Sequence, residues 1–416
     1  MGRPATAVAL IGPIPSPAMP QRDDVPDWRD LPAWVASLGL PPVATKAIER
    51  WWSPVLARLR DDLGYLPEHG RPGEPPRPDT ATDELVFEAV EELTPGPKWQ
   101  ARLRAMWPAY RAWYLKEGEA ARPDAAACRD ALTRHMPELL ETYDRLVELA
   151  DGDELTARML SLYRPPAFVV GCSQGAWTRG TPVLVRNYDY PASRLEGVIT
   201  STAWTGRRVI GMSDCLWGLL DGVNDAGLAV SLTFGGRREV GDGFGVPIVV
   251  RYVLETCETV AQARRALERI PIHAAQNLTL LDRSGTVLTA FVGPGRPPAF
   301  VAQPATTNHQ DERDWPEYAQ AIRSIERKQR VLALLADQTL DADDVIAGFL
   351  EPPLHSTNHA QGFGTIYTAA YFPVDGRAEY RWHGTPPWRH SFDAFEEGTR
   401  TITFDRSPPQ AAPRPT

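Results

Sequence analysis

The hydrophobic period of this chain changes once, near Leu162–Pro166, and that change limits the folds open to it. Upstream, apolar residues recur at helical spacing; downstream, they alternate as they do in strands. Ala44–Leu63 places Ile48, Trp51, Trp52, Val55, Leu56 and Leu59 on one helical face. Thr82–Leu93, Lys98–Tyr114 and Ala125–Leu149 read as further helices. Beyond Pro166 the pattern predicts strands at Val183–Tyr188, Gly197–Ala203, Arg208–Met212, Leu228–Phe234, Asn277–Leu281 and Val287–Val292. Val223-Asn224-Asp225-Ala226-Gly227 and Asp282-Arg283-Ser284-Gly285 carry hairpin-turn chemistry. Two helices, Val246–Ile270 and Trp315–Leu335, interrupt the strands. Gly364–Pro373 and Ala378–Trp382 read as a closing hairpin. Helices, then strands with helices between them, predict an α+β layered core rather than a doubly wound sheet. The expected organisation is a mostly α-helical region over 1–165, an α+β domain over 166–406 and a disordered Pro-rich tail over 407–416.

Charge excludes some partners. The net charge is −9 with both signs interspersed, which argues against a nucleic-acid or anionic-membrane surface. No apolar run approaches a membrane-spanning length. The weak apolar patch near the N-terminus is broken by prolines before it forms a signal-peptide core. The four cysteines (Cys128, Cys172, Cys215, Cys257) form no CxxC pair. Their spacing fits neither a zinc site nor a disulfide framework, so the thiols read as reduced and the chain as cytoplasmic. His355 and His359 have HxxxH spacing, but the residues around them argue for a loop, so no metal and no cofactor is expected.

Cys172 is the residue with the most chemical potential. It follows the apolar run Ala167-Phe168-Val169-Val170 and a glycine, Gly171. A cut at Gly171-Cys172 would leave one residue with both a thiol and a free α-amine. The amine has an intrinsic pKa of about 7.7–8.0, so it can act as the thiol's base at neutral pH. Arg186 and Asp189 lie in the next strand. An arginine beside a thiol favours thiolate, and an aspartate can hold the protonated amine. Strict strand alternation puts Arg186 and Asp189 on opposite faces. A bulge or strand end between them is therefore expected, to turn both toward one thiol.

Gly171-Cys172-Ser173, Arg186-Asn187-Tyr188-Asp189, Asp221 through Leu228, Thr307-Asn308-His309, Ser324-Ile325-Glu326-Arg327 and Gly364 through Thr368 follow in order. Over roughly Met136–Phe404 this set resembles the N-terminal-nucleophile (Ntn) hydrolases with cysteine at the cut. The branch it is most similar to contains acyl-coenzyme A:6-aminopenicillanic acid acyltransferase and is related to the choloylglycine hydrolases and penicillin V acylases. The resemblance implies a four-layer αββα sandwich. It implies an autoproteolytic N-terminal-cysteine amidohydrolase or acyltransferase that acts on a linear, non-peptide amide through a thioester. Cys172 is then the nucleophile and Gly171-Cys172 the cleaved bond. Arg186 and Asp189 hold the thiolate and the amine, Asn308 is an oxyanion donor, and Arg327 is the second arginine near the nucleophile. Thr233 aligns with a further donor position but is shorter than the Asn or Tyr of the relatives, which leaves a backbone N–H as the alternative.

Trp177, Trp204 and Trp217 are candidates for an acyl pocket, with core packing as the competing reading. The expected partner is a small-molecule amide or an acyl donor such as an acyl-coenzyme A. The cleavage fragments are expected to stay together as a heterodimer, with a homo-oligomer left open. Two rival readings stand beside this one. One is an uncleaved cysteine enzyme with His309 as base; the other is a catalytically silent binding protein of the same fold.

Overall fold

The computed structural model describes residues 82–310, 315–359 and 363–405. The expected helix Ala44–Leu63 and the tail 407–416 lie outside the described residues. Among the described residues two sheets form. The larger has the order β10-β9-β8-β7-β6-β5-β4-β1-β16. Its strands are β1 (Thr82–Glu91), β4 (Val198–Thr202), β5 (Val209–Asp214), β6 (Gly218–Asn224), β7 (Leu228–Phe234), β8 (Gln276–Asp282), β9 (Val287–Val292), β10 (Ala299–Val301) and β16 (Gly398–Asp405). The smaller runs β11-β2-β3-β13-β14-β15, with β12 on β13. It is built from β2 (Gly171–Trp177), β3 (Val183–Asp189), β11 (Ala305–Thr306), β12 (Thr357–Asn358), β13 (Phe363–Phe372), β14 (Arg377–Trp382) and β15 (Thr385–Ser391).

The sheets pack face to face, with β2 against β7 and β8, and β14 against β5 and β6. Helices α5 (Val246–Thr256) and α6 (Val260–Arg269) cover the outer face of the larger sheet. Helices α8 (Ser324–Ala336) and α9 (Ala342–Phe349) cover the smaller, α8 on β2 and α9 on β3. This is the expected αββα order. Strands β2 to β8 are buried along their whole length, as strands covered on both faces must be. Ahead of β2 come α1 (Pro97–Tyr114), α2 (Ala125–His135), α3 (Leu140–Leu149) and α4 (Glu154–Leu160).

Four expected helices differ. Thr82–Leu93 is not a helix but strand β1, pairing antiparallel with β16 and parallel with β4. Its glutamates favour a helix, but Phe87 and Ala89 alternate onto the core face, and pairing on both edges decides the outcome. Ala125–Leu149 breaks at Pro137, and Val246–Ile270 breaks at Cys257. Trp315–Leu335 divides at Arg323, which takes a left-handed φ of 53°, into α7 (Pro316–Ala321) and α8. The inward face of α8 is partly polar. Ser324, Arg327, Val331 and Leu334 are buried while Ile325 and Leu332 are exposed, because the helix turns Arg327 toward β2. The β6–β7 turn forms as expected, with Gly227 at φ 87°.

Candidate active site

Cys172 lies in β2, fully buried, on the face turned toward the larger sheet. Strands β2 and β3 pair without a break: Gly171 opposite Asp189, Cys172 opposite Tyr188, Gln174 opposite Arg186. The expected bulge between Arg186 and Asp189 is therefore absent. The ladder stays regular because the two residues act on different atoms. Arg186, on the thiol's own face, donates from Nη2 to Cys172 Sγ at 3.5 Å. Asp189 sits on the other face, across from Gly171. The irregularity in this region lies in β13, between Thr365 and Tyr367.

Arg186 is held from behind. Its Nη1 pairs with Asp221 Oδ2 and donates to Tyr367 Oη at 3.1 Å. Tyr367 donates to Asp221 at 2.6 Å, and Tyr371 donates to the other carboxylate oxygen. The Tyr188 ring lies 4.6 Å from the guanidinium. Asp221 opens the Asp221 through Leu228 motif, which does not by itself assign it a role. The available signal was a carboxylate inside Leu219-Leu220-Asp221-Gly222-Val223, since a charge in an apolar strand requires a partner. In the intact chain burial pushes the Cys172 thiol up, and the Arg186 charge pulls against it.

Asp189 and Arg327 bracket the backbone. Asp189 accepts from Thr365 Oγ1 at 2.7 Å and pairs with Arg327 Nη1 at 3.4 Å. Burial nevertheless raises its carboxyl above the usual range. Arg327 also donates to the Cys172 carbonyl at 2.6 Å, Ser173 Oγ at 2.8 Å and Asn308 Oδ1 at 2.8 Å.

Asn308 reaches the backbone on both sides of Gly171. Its Oδ1 accepts from the Cys172 N–H at 2.8 Å, and its Nδ2 donates to the Val170 carbonyl at 2.9 Å. Asn277 steadies this turn, donating to the carbonyls of Thr307 at 2.7 Å and His309 at 3.3 Å. The Asn277 role was not anticipated; the β7–β8 register sets it opposite Thr233.

Cys172, Arg186, Asp189, Asn308 and Arg327 thus converge, with Gly171 among them. Other candidates face elsewhere. Thr233 donates its hydroxyl to the Thr307 carbonyl at 2.8 Å. The His309 ring meets Ser324 Oγ through Nδ1 at 2.8 Å, and burial pushes its pKa down to about 4. Trp177 packs with Val331, Phe349 and other core residues beneath α8 and α9. Trp204 donates to Glu92 O and Trp217 to Leu160 O, both on the side of α1 to α4. None of the three tryptophans lines the cavity beside Tyr188. That cavity is walled by Tyr110, Trp113, Phe168, Tyr188, Tyr190, Asp214 and Cys215, so the aromatic lining comes mainly from tyrosines. Among the described residues no cluster of side chains suited to a metal ion occurs, and no helix is long and apolar enough to cross a membrane.

A family model described as acyl-coenzyme A:6-aminopenicillanic acid acyl-transferase matches residues 177–386. The match begins just after Cys172 and takes in Arg186, Asp189, Asn308 and Arg327. No curated protein matches the chain. Among solved structures it is similar to penicillin V acylase from Agrobacterium tumefaciens, at 16% identity and a TM-score of 0.40, over 53% of this chain and 86% of that one. It is also similar to a mutant of the conjugated bile acid hydrolase from Clostridium perfringens, at 11% identity and 0.40, over 57% and 98%. The N-acylethanolamine-hydrolyzing acid amidase ortholog of Caenorhabditis elegans is similar at 15% and 0.39, over 56% and 99%.

Proposed function

The chain belongs to the acyl-coenzyme A:6-aminopenicillanic acid acyl-transferase family, whose model spans half of it, and from that premise we propose an N-terminal-cysteine enzyme that makes itself by cutting Gly171-Cys172. The observation that carries the reading is the convergence on one residue. The Cys172 thiol has Arg186, its N–H has Asn308, its carbonyl has Arg327, and Asp189 stands across from the residue before it. An ordinary buried cysteine needs none of these.

In the proposed cut, Cys172 Sγ adds to the Gly171 carbonyl carbon. The C–N bond breaks as the thioester forms, which frees the α-amine. Water then hydrolyses the thioester and leaves fragments 1–171 and 172–416. Asp189, its carboxyl raised by burial, is the group across from Gly171 suited to take up a proton. In turnover the α-amine accepts the thiol proton and the thiolate attacks a small-molecule amide or acyl donor. Asn308 stabilises the oxyanion, and the acyl group passes to water or an acceptor amine.

The fragments are expected to remain one particle. Strand β1 belongs to the upstream fragment yet sits between β4 and β16 of the downstream one. Trp99 and Arg102 of α1 also donate to the Leu216 carbonyl. The test is the denatured intact mass of the wild type beside Cys172→Ala. Two wild-type masses with the junction at Gly171/Cys172, co-eluting on native gel filtration, and a single mass for the variant are expected. A single full-length wild-type mass would overturn the reading and favour the His309 rival or a silent fold.

A further inference from the structure

The Val170 carbonyl, two residues before the proposed nucleophile, receives two side-chain donors. Asn308 Nδ2 lies at 2.9 Å and Tyr318 Oη at 2.7 Å. All three residues are buried. The donors come from separate places, Asn308 from the turn after β11 and Tyr318 from α7. Two convergent donors at 2.7–2.9 Å have the geometry of a site that holds an oxyanion.

Three observations tie this cradle to the reaction. First, the Asn308 amide that donates to Val170 also accepts from Cys172 N–H, so the cradle is indexed to the nucleophile's own nitrogen. Second, Thr233 does not supply a second donor here, because its hydroxyl proton goes to Thr307. Third, Tyr318 is suited to donate. Burial, then the proximity of the Cys172 and Asp189 charges, raises its hydroxyl well above the usual range, so it keeps its proton. Its ring is stacked on Trp315 at 4.9 Å and meets Phe234 edge-on at 5.5 Å.

We propose that Tyr318 is the second oxyanion donor, and that in the intact chain the Val170 carbonyl occupies the seat later taken by the substrate's carbonyl. The assignment rests on the proposed cut, which frees Val170 and Gly171 to withdraw. In turnover the thiol proton moves to the α-amine and the C–S bond forms. The carbonyl π pair shifts to oxygen, facing Asn308 N–H and Tyr318 O–H. When that pair returns, the C–N bond breaks and the amine leaves with the proton from the α-ammonium. Water, deprotonated by the α-amine, attacks the thioester; acid leaves and the thiol is restored.

The test compares the full-length wild type with Tyr318→Phe, which leaves the ring packing and the Asn308 bond to Val170 in place. Intact mass reports the cut, and iodoacetamide alkylation reports the thiol, a displacement that builds no oxyanion. The p-nitrophenolate burst from p-nitrophenyl hexanoate reports acylation. Both proteins should be cut and should alkylate within twofold of one another. The maximal burst rate of Tyr318→Phe should fall about 10²-fold, with the half-saturating ester concentration changed less than threefold. 3-Fluorotyrosine at position 318, which keeps the hydroxyl, should restore the rate. A burst rate within threefold of wild type overturns the assignment, as does failure of the fluorotyrosine protein to recover. An uncut Tyr318→Phe also overturns it, because the hydroxyl would then serve the cut. A wild type without any burst sinks the proposed function instead, so the two failures are told apart.

Discussion

Gly171 and Asp189 face each other across β2 and β3 so closely that a Cβ added to Gly171 would lie 2.9 Å from the Asp189 Cβ and 3.3 Å from its Oδ2. The glycine is what lets a carboxylate stand beside the bond proposed to be cut. Gly171→Ala should therefore push the strands apart or turn the carboxylate away. A time course of intact mass after synthesis should show self-cleavage slowed at least tenfold. Cutting at the wild-type rate would mean that Asp189 has no part in it.

Arg186 should set the reactivity of the thiol. An opposite charge within about 4–6 Å lowers an acid's pKa by roughly 1–3 units. Arg186→Met should move the pH profile of Cys172 alkylation upward by about a unit or more, while Arg186→Lys should move it less. The Met variant also leaves Asp221 buried without its cation, a loss of about 3–5 kcal/mol in such pairs. Its urea midpoint should fall accordingly. An unshifted alkylation profile would reduce Arg186 to a structural role.

Stability should fall in mild acid. Burial pushes His309, His355, His359 and His390 down to about 4. Between pH 4 and about 6.5 the unfolded chain therefore binds more protons at these residues, and stability is lost as pH falls through that window. Asp214 acts in the opposite sense. Burial, then Glu196, raises its carboxyl to about 7, so its contribution is lost as pH rises from about 4 to 7. Asp189, also raised by burial, acts with Asp214, and His135 and His273, also lowered by burial, act with the other histidines; six groups against two leave a net acid weakening. His390, 1% exposed with neither ring nitrogen hydrogen-bonded among the described residues, is the residue to change. His390→Phe should flatten the slope of urea midpoint against pH between 5 and 6.5. An unchanged slope would refute the assignment to His390.

The strands were easiest to foresee where both edges and both faces agree with local pattern. Leu228–Phe234 and Val287–Val292 alternate, end in turn residues and form as β7 and β9. β1 was not foreseen, because its local sequence favours a helix and its pairing partners lie more than a hundred residues away in β4 and more than three hundred away in β16. The convergence of Cys172, Arg186, Asp189, Asn308 and Arg327 was anticipated from ordered motifs. The division of labour between Arg186 and Asp189 was not, since it depends on which strand face each occupies relative to one peptide bond. Asn277 and Tyr318 carry no short motif of their own, and only the folded geometry brings them to the site; Asp221 opens a motif, but its partner Arg186 is set by the packing of β3 on β6.

The placement of β1 bears on timing. A strand tethered through the intact chain meets its neighbours at high effective concentration, and once untethered it must find them by diffusion. β1 is among the first described segments to be synthesised, whereas β16, its antiparallel partner, is the last. A cut at Gly171 made before β16 is in place would strand a half-built sheet in two pieces. The proposed cut needs Arg186, Asn308 and Arg327 brought to Cys172, so it would follow the packing of the downstream segments that carry them. The bond proposed to break would then be a one-way record of that packing.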